Sequence, residues 1–146
     1  MLDKGRPVYT IGTAAEILHV HPRTLRLYED GGLVRPARKN NRRFYSTHDL
    51  EWISCIRYLL HEKGLNQEGL RRLLALIPCG DIKGCPPEAR AKCAAWQDRS
   101  APCWDIARRA DTQPNHCYEC EVYLSAMEQV LDPQEAEEAM IYSLAD

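Results

Sequence analysis

Pro22 and the pair Gly31-Gly32 bracket a segment that has few options other than a short helix. At the first helical position proline loses nothing, because its missing N–H would have no partner there, and paired glycines stop the helix and permit positive φ. Within the bracket, Leu25 and Leu27 can face a small core together with Ile17 and Leu18 upstream. Arg23 and Arg26 stand three residues apart and project outward from one turn. Ahead of it, Thr13-Ala-Ala-Glu16 reads as a capping box for a first short apolar helix, with Thr10 or Thr13 as its cap. The link His19-Val20-His21 is tight. Two short helices joined by a turn, the second bearing arginines, form a helix-turn-helix suited to a DNA groove.

The next segment, Val34-Arg-Pro-Ala-Arg-Lys-Asn40-Asn41-Arg-Arg-Phe-Tyr45, places a turn signal between two short extended arms. This is a basic β-hairpin, a wing, with Arg38, Lys39, Arg42 and Arg43 around the turn and suited to phosphates. Its place directly after a helix-turn-helix distinguishes it from an ordinary solvated charged loop. Ser46-Thr-His-Asp49 is a second capping box, opening a helix with Leu50, Ile53, Ile56, Leu59 and Leu60 on one stripe. Trp52 and Cys55 lie near the stripe, and Cys55 reads as a small buried apolar residue. Gly64 ends that helix. Asn66 caps another through Leu70, Leu73, Leu74 and Ile77, ended by Pro78.

Taken together, Tyr9-Thr-Ile-Gly12, Thr24-Leu-Arg-Leu-Tyr-Glu29, Gly32-Leu33, Pro36-Ala-Arg38, Arg43-Phe-Tyr45 and Asp49-Leu50 resemble the DNA-binding domain of MerR-type transcription regulators. The resemblance runs from about Tyr9 to Ile77, with the motifs in the family's order and spacing. Val20-His-Pro-Arg-Thr-Leu-Arg-Leu-Tyr-Glu29, Gly64-Leu-Asn66 and Gly69-Leu-Arg-Arg-Leu-Leu74 are most similar to its heat-shock-repressor (HspR-like) branch. The resemblance implies a winged helix-turn-helix with two further helices. It also implies a homodimer on a near-palindromic operator in double-stranded DNA, with RNA polymerase as a further partner at the promoter. Carried over, Arg23, Thr24 and Arg26 face the groove, Tyr28, Arg42, Arg43 and Tyr45 hold phosphates, and Thr10, Arg38 and Lys39 complete the DNA-binding set. Arginine suits guanine through a bidentate pair worth about 1–3 kcal/mol of discrimination.

Charge agrees with this division. Residues 1–78 carry 13 Lys and Arg against 8 Asp and Glu, a charge of +5. Residues 79–146 carry 6 against 13, a charge of −7, which together make the net −2. A basic first half suits a polyanion and an acidic second half does not. The apolar runs fall far short of the roughly 20 residues needed to span a bilayer, so no membrane role is expected. Met1-Leu-Asp-Lys-Gly-Arg6 leads into no apolar stretch, and a cytoplasmic location follows as the expectation. No Ser/His/Asp set, phosphate-binding glycine loop or clustered acid–base pair points to an enzyme.

Six of the seven cysteines fall between residues 79 and 120. They form an internal repeat: Cys79-Gly-Asp81-Ile82 matches Cys103-Trp104-Asp105-Ile106, each after a proline, and Cys93-Ala-Ala-Trp96 matches Cys120-Glu-Val-Tyr123. Cys85 and Cys117 lie between these anchors. The pattern is similar to small Cys-Trp ("CW") modules of bacterial signalling proteins. The long dimer helix usual in MerR-type proteins is interrupted here at Pro78, a helix over 87–98 is soon ended by Pro102, and the dimer element is absent, shortened, or moved to 120–131, where Val122, Ala126, Val130 and Leu131 offer an apolar side.

Large aliphatic residues are few in the cysteine segment, and thiolates on a metal would supply the missing stability. Cys79, Cys85, Cys93, Cys103, Cys117 and Cys120 are the candidate ligands. Four thiolates satisfy either zinc or an iron–sulfur cluster, and the spacings choose neither. Only Cys117-x-x-Cys120 has a standard chelating interval, and the tight cysteine run of the iron–sulfur members of the family is missing. Disulfides between the units, or reduced cysteines packed as small core residues, are the alternatives. His116 and the repeated Asp81 and Asp105 read as solvated or turn-forming residues. Asp132 caps and Pro133 opens an acidic tail helix expected to pack on the cysteine module through Met140, Ile141 and Leu144.

The expected chain is therefore mainly α. A MerR-like winged helix-turn-helix spans 1–78, a small loop-rich cysteine module with short helices spans 79–124, and a short helical tail spans 125–146. Its function would be regulated DNA binding, with a metal or cluster in the second half. The rival is an interaction protein: an HspR-like repressor whose C-terminal half is a structural, disulfide- or thiol-based module that docks a chaperone or other partner.

Overall fold

The computed structural model describes residues 6–77, 87, 88, 102, 104, 123 and 125–144. Among these, the chain is mainly helical with one small sheet. Strand β1 (Tyr9–Thr10) leads into α1 (Ile11–Leu18) and α2 (Pro22–Asp30); β2 (Ala37–Lys39) and β3 (Arg42–Tyr45) form the wing. Helices α3 (Thr47–His61) and α4 (Gln67–Leu74) follow, then α5 (Ala126–Val130) and α6 (Pro133–Ile141). The sheet is antiparallel in the order β1-β3-β2, with Tyr9 opposite Tyr45 and Lys39 opposite Arg42.

Local chemistry explains most of the boundaries. Because β1 holds Thr10 extended against Phe44, the first helix starts there: Thr10 Oγ1 accepts from Thr13 N, and Thr13 lies one turn inside rather than at the cap. At the other end of α1, His19 takes a left-handed conformation while Val20 N bonds Ala15 O and His19 N bonds Glu16 O. His21 then caps α2, its Nδ1 accepting from Arg23 N, with Pro22 in the first turn. Gly32, at φ 78°, closes α2 in the same manner: Leu33 N reaches Tyr28 O and Gly32 N reaches Glu29 O. The wing turn Asn40-Asn41 has positive φ at both residues, as a two-residue hairpin with right-handed twist requires. Ser46 and Asp49 cap α3 reciprocally, and Asn66 caps α4 through Gly69 N. Helix α4 ends at Leu74, short of Ile77.

Helix α3 is the centre of the core. Leu50, Trp52, Ile53, Ser54, Cys55, Ile56, Tyr58 and Leu59 are all buried, which is far more than one stripe. The winged helix-turn-helix covers one side of it, and α6 covers another. Ser54 Oγ donates to Ala139 O and accepts from Ser143 N, both at 2.8 Å, and Arg57 Nε donates to Ser143 Oγ. The tail therefore packs on α3, and Ile141, one of its expected anchors, is exposed. The expected apolar side over 122–131 is likewise used within the chain: Ala126, Met127 and Leu131 belong to the same core, and α5 lies against α4. Val122 and most of the expected helix over 87–98 lie outside the described residues. No described helix is long and apolar enough to cross a membrane.

Candidate nucleic-acid interface

Seven of the nine residues of α2 fall on two faces, with Pro22 and Thr24 of intermediate exposure. Leu25, Tyr28 and Glu29 are buried; Arg23, Arg26, Leu27 and Asp30 are exposed, with Thr24 between. Spacings of three, four and seven residues put the exposed four on one stripe. Leu27 is thus not part of the core, as its sequence pattern suggested; it is 51% exposed. Leu25 and Tyr28, three apart, fill the buried side, and a residue two after Leu25 is rotated well away from it.

The wing is fastened to this helix by charge. The Glu29 carboxylate is 1% exposed and receives Arg38 at 3.1 Å and Arg43 through its Nε. A buried carboxylate is costly unless paired, and here two guanidinium groups pair it. Arg38 and Arg43 also face each other across the hairpin, so Glu29 offsets what would be a like-charge repulsion. At the tip the other cross-strand pair, Lys39 and Arg42, is also like-charged and exposed. Among the described residues no carboxylate bridges either; Lys39 Nζ lies 5.8 Å from the centre of the Phe44 ring.

Two expected phosphate contacts fall inside the protein. Tyr28 and Tyr45 are 3% and 0% exposed, on the core side of α2 and of β3. Burial raises the pKa of the Tyr28 phenol, against the lowering influence of Arg57, and burial plus the Glu29 charge push up that of Tyr45. Thr10 is exposed but engaged as the α1 cap, also donating to Thr13 Oγ1 at 3.1 Å. The expected set thus separates into Arg23, Thr24, Arg26, Lys39 and Arg42 at or near the surface, Arg38 and Arg43 tied to Glu29, and two core tyrosines.

Sequence reasoning missed the root of the wing. Here Trp52 Nε1 donates to Leu33 O, and Trp104 Nε1 donates to Gly32 O at 2.7 Å. The Tyr123 hydroxyl donates to Asp49 Oδ1 at 2.8 Å and accepts from Arg35 N at 3.2 Å. The rings of Trp104 and Tyr123 meet edge to face with centroids 5.1 Å apart. Burial raises the pKa of Asp49, a rise opposed by the bonds from Ser46 and Tyr123, and burial also raises that of Tyr123 well above the ordinary phenol value. Tyr123 stands at the aromatic position of the repeat, whereas Trp104 stands opposite Gly80, and nothing in the spacing of either says what it touches.

Comparison with known proteins fits this geometry. The model of the MerR HTH family regulatory proteins matches residues 9–77. Residues 9–77 are a MerR-family helix-turn-helix domain. The putative heat shock protein HspR of Streptomyces coelicolor is 40% identical over 76 residues, 51% of this chain and 50% of that protein. The HTH-type transcriptional regulator GlnR of Bacillus anthracis is 34% identical over 74 residues, 50% of this chain and 57% of the relative, and GlnR of Bacillus cereus matches equally. The chain spans about half the length of these relatives.

Trp104 and Tyr123, which close the root of the MerR-family wing, lie beyond the matched segment. The six candidate ligands Cys79, Cys85, Cys93, Cys103, Cys117 and Cys120 lie outside the described residues. Among the described residues no group of three or more His, Cys, Asp and Glu is placed to hold a metal ion. Cys55 is buried in α3 with its thiol pushed up to about 12 by burial, which suits a core residue and not a thiolate ligand. By donor chemistry, any zinc or iron–sulfur centre falls to the other six.

Proposed function

We propose that the protein is a sequence-specific regulator of transcription that binds double-stranded DNA. The observation that carries this reading is the Lys39–Arg42 pair at the wing tip. Two cations directly opposite on a hairpin repel, and no described carboxylate relieves them, so a phosphate backbone is the partner that would. The exposed Arg23 and Arg26 on α2 supply the groove-reading counterpart. The named relatives add support, HspR as a putative heat shock protein and GlnR as a transcriptional regulator. The protein would act in the cytoplasm as a homodimer on a near-palindromic operator, with RNA polymerase nearby at the promoter. It would not be an enzyme.

In this reading the cysteine-rich half binds zinc or an iron–sulfur cluster through Cys79, Cys85, Cys93, Cys103, Cys117 and Cys120. Such a centre would stabilise the segment or sense redox or metal state. In sequence Cys103 precedes Trp104 and Cys120 stands three before Tyr123, and those two rings pack on each other at the wing root. That is the route by which the state of the cysteines would reach the DNA-binding half, and DNA deformation between half-sites is an energy such a signal can bias.

Gel-shift titration of the full chain against upstream duplexes tests the core of the proposal. Affinity should fall steeply with salt, since several phosphate contacts release counterions. Binding that is absent, or indifferent to salt, would overturn it. Arg26→Ala should weaken specific binding much more than non-specific binding. Anaerobic purification with iron, sulfide and zinc analysis tests the centre. Iron with sulfide favours a cluster sensor, stoichiometric zinc a structural or thiol-sensing site.

A second reading has its own support: Trp104, Tyr123, α5 and α6 complete the core around α3. A purely structural, disulfide- or thiol-based second half that docks a partner would then suffice. Replacing the cysteines would in that case destabilise the protein and leave it without any metal- or redox-dependent change in DNA binding.

A further inference from the structure

The exposed stripe of α2 contains one residue that neither the charge argument nor the core explains. Leu27 is half-exposed, flanked on the same stripe by Arg23 and Arg26, with its neighbours Leu25, Tyr28 and Glu29 turned inward. A single exposed leucine on a protein surface requires no explanation. This one sits at the centre of the face that carries the groove-reading arginines, where each exposed side chain would meet a base edge or a phosphate. Leucine has no donor or acceptor for either. The feature of the major groove that an aliphatic side chain can read is the C5 methyl group of thymine.

We propose that Leu27 is a specificity-determining residue that packs on a thymine methyl in the major groove, within reach of the base pairs addressed by Arg23 and Arg26. The inference rests on the DNA-binding reading given above. Spacing supports it. Four residues along a helix advance about 6 Å, close to two base-pair steps, so Arg23 and Leu27 can address near-adjacent pairs. The acidic Asp30 lies one turn further on in the same stripe and would repel phosphate. The N-terminal part of α2, ending near Leu27, is therefore the part that enters the groove. A protein partner on this stripe is less well matched, because it would have to desolvate two arginines to reach one leucine.

Uracil differs from thymine only by the missing methyl, which makes a clean test. Duplexes are selected from a random library with the full-length protein, and each thymine of the enriched site is then replaced in turn by uracil. At one thymine per half-site, uracil should weaken wild-type binding about fourfold, the worth of one buried methyl. Leu27→Ala should lose a similar factor on the thymine site, and at that position alone should bind thymine and uracil equally. Arg23→Ala should keep the thymine preference while losing affinity. Since Leu27 is exposed, the Leu27→Ala melting temperature should match wild type, which separates readout from folding. If sequences are enriched but no uracil position matters, or if wild type and Leu27→Ala respond alike to every uracil, the assignment is overturned and the DNA-binding reading stands. If nothing is enriched, both are overturned.

Discussion

The tip and the root of the wing are built on opposite principles. At the tip, Lys39, Asn40, Asn41 and Arg42 are exposed, with a cation on either side of a tight turn and no described carboxylate paired to them. At the root, Gly32, Leu33, Arg35 and Asp49 are engaged by Trp52, Trp104 and Tyr123, side chains brought from three separate places in the chain. Between them, Glu29 ties Arg38 and Arg43 to the helix. The difference teaches that the wing is aimed from its base. Packing and satisfied hydrogen bonds fix its direction, leaving the charges at the end with no structural duty.

If that division is right, substitutions should grade by position. Trp104→Ala empties a large buried site and leaves the Gly32 carbonyl without its indole donor. It should cost about 3–5 kcal/mol, read as a drop in the denaturant midpoint, although the residue is distant from the tip in sequence. Tyr123→Phe keeps the ring and strands Asp49 Oδ1 and Arg35 N, for a cost of about 1–3 kcal/mol. The same pair predicts a pH effect. Because the native Tyr123 phenol titrates well above 10.0, the unfolded chain releases its proton first, and stability should fall as pH rises past that value. Chemical denaturation between pH 8 and 11 should show a shallower fall in Tyr123→Phe, though not a flat one, since Cys55, Tyr28 and Tyr45 shift in the same direction.

Smaller effects are expected toward the tip. Glu29→Gln removes the counter-charge of two arginines that can both swing toward water, so about 1 kcal/mol of stability should go, with a larger change in the salt dependence of DNA binding. Arg42→Ala should leave the melting temperature unchanged or slightly raised, since it removes a repulsion from Lys39, yet lower the log–log salt slope by about one for each chain bound. A large stability loss from Arg42→Ala would dissolve the contrast between the two ends.

What could be read from the sequence was what lies within one turn of its cause. Pro22, Ser46 with Asp49, Asn66, and Asp132 with Pro133 mark helix starts because a cap is a contact between residues at most three apart. The Asn40-Asn41 hairpin was legible for the same reason. The readings that failed needed distant partners. Leu27 reads as a core residue beside Leu25, Ile17 and Leu18, and only the packing of Leu25 and Tyr28 fixes the rotation of the helix that turns it outward. The pairing of Glu29 with Arg38 and Arg43, nine and 14 residues on, has no local signal either. Trp104 and Tyr123 reach across 72 and 74 residues to Gly32 and Asp49. The contact of the tail with α3 was illegible for the same reason: its apolar residues do not say which surface receives them, and Ser54, 85 residues earlier, is the partner of Ala139.

The borrowed aromatic residues also bear on how such a protein can be taken apart or recombined. A fragment cut after residue 78 would retain every exposed side chain of α2 and of the wing tip, yet its wing would lose the two rings that close its base. Transplanting this domain onto another protein would therefore need more than a linker: the recipient would have to supply an indole and a phenol of its own, or tolerate a wing whose aim has become negotiable.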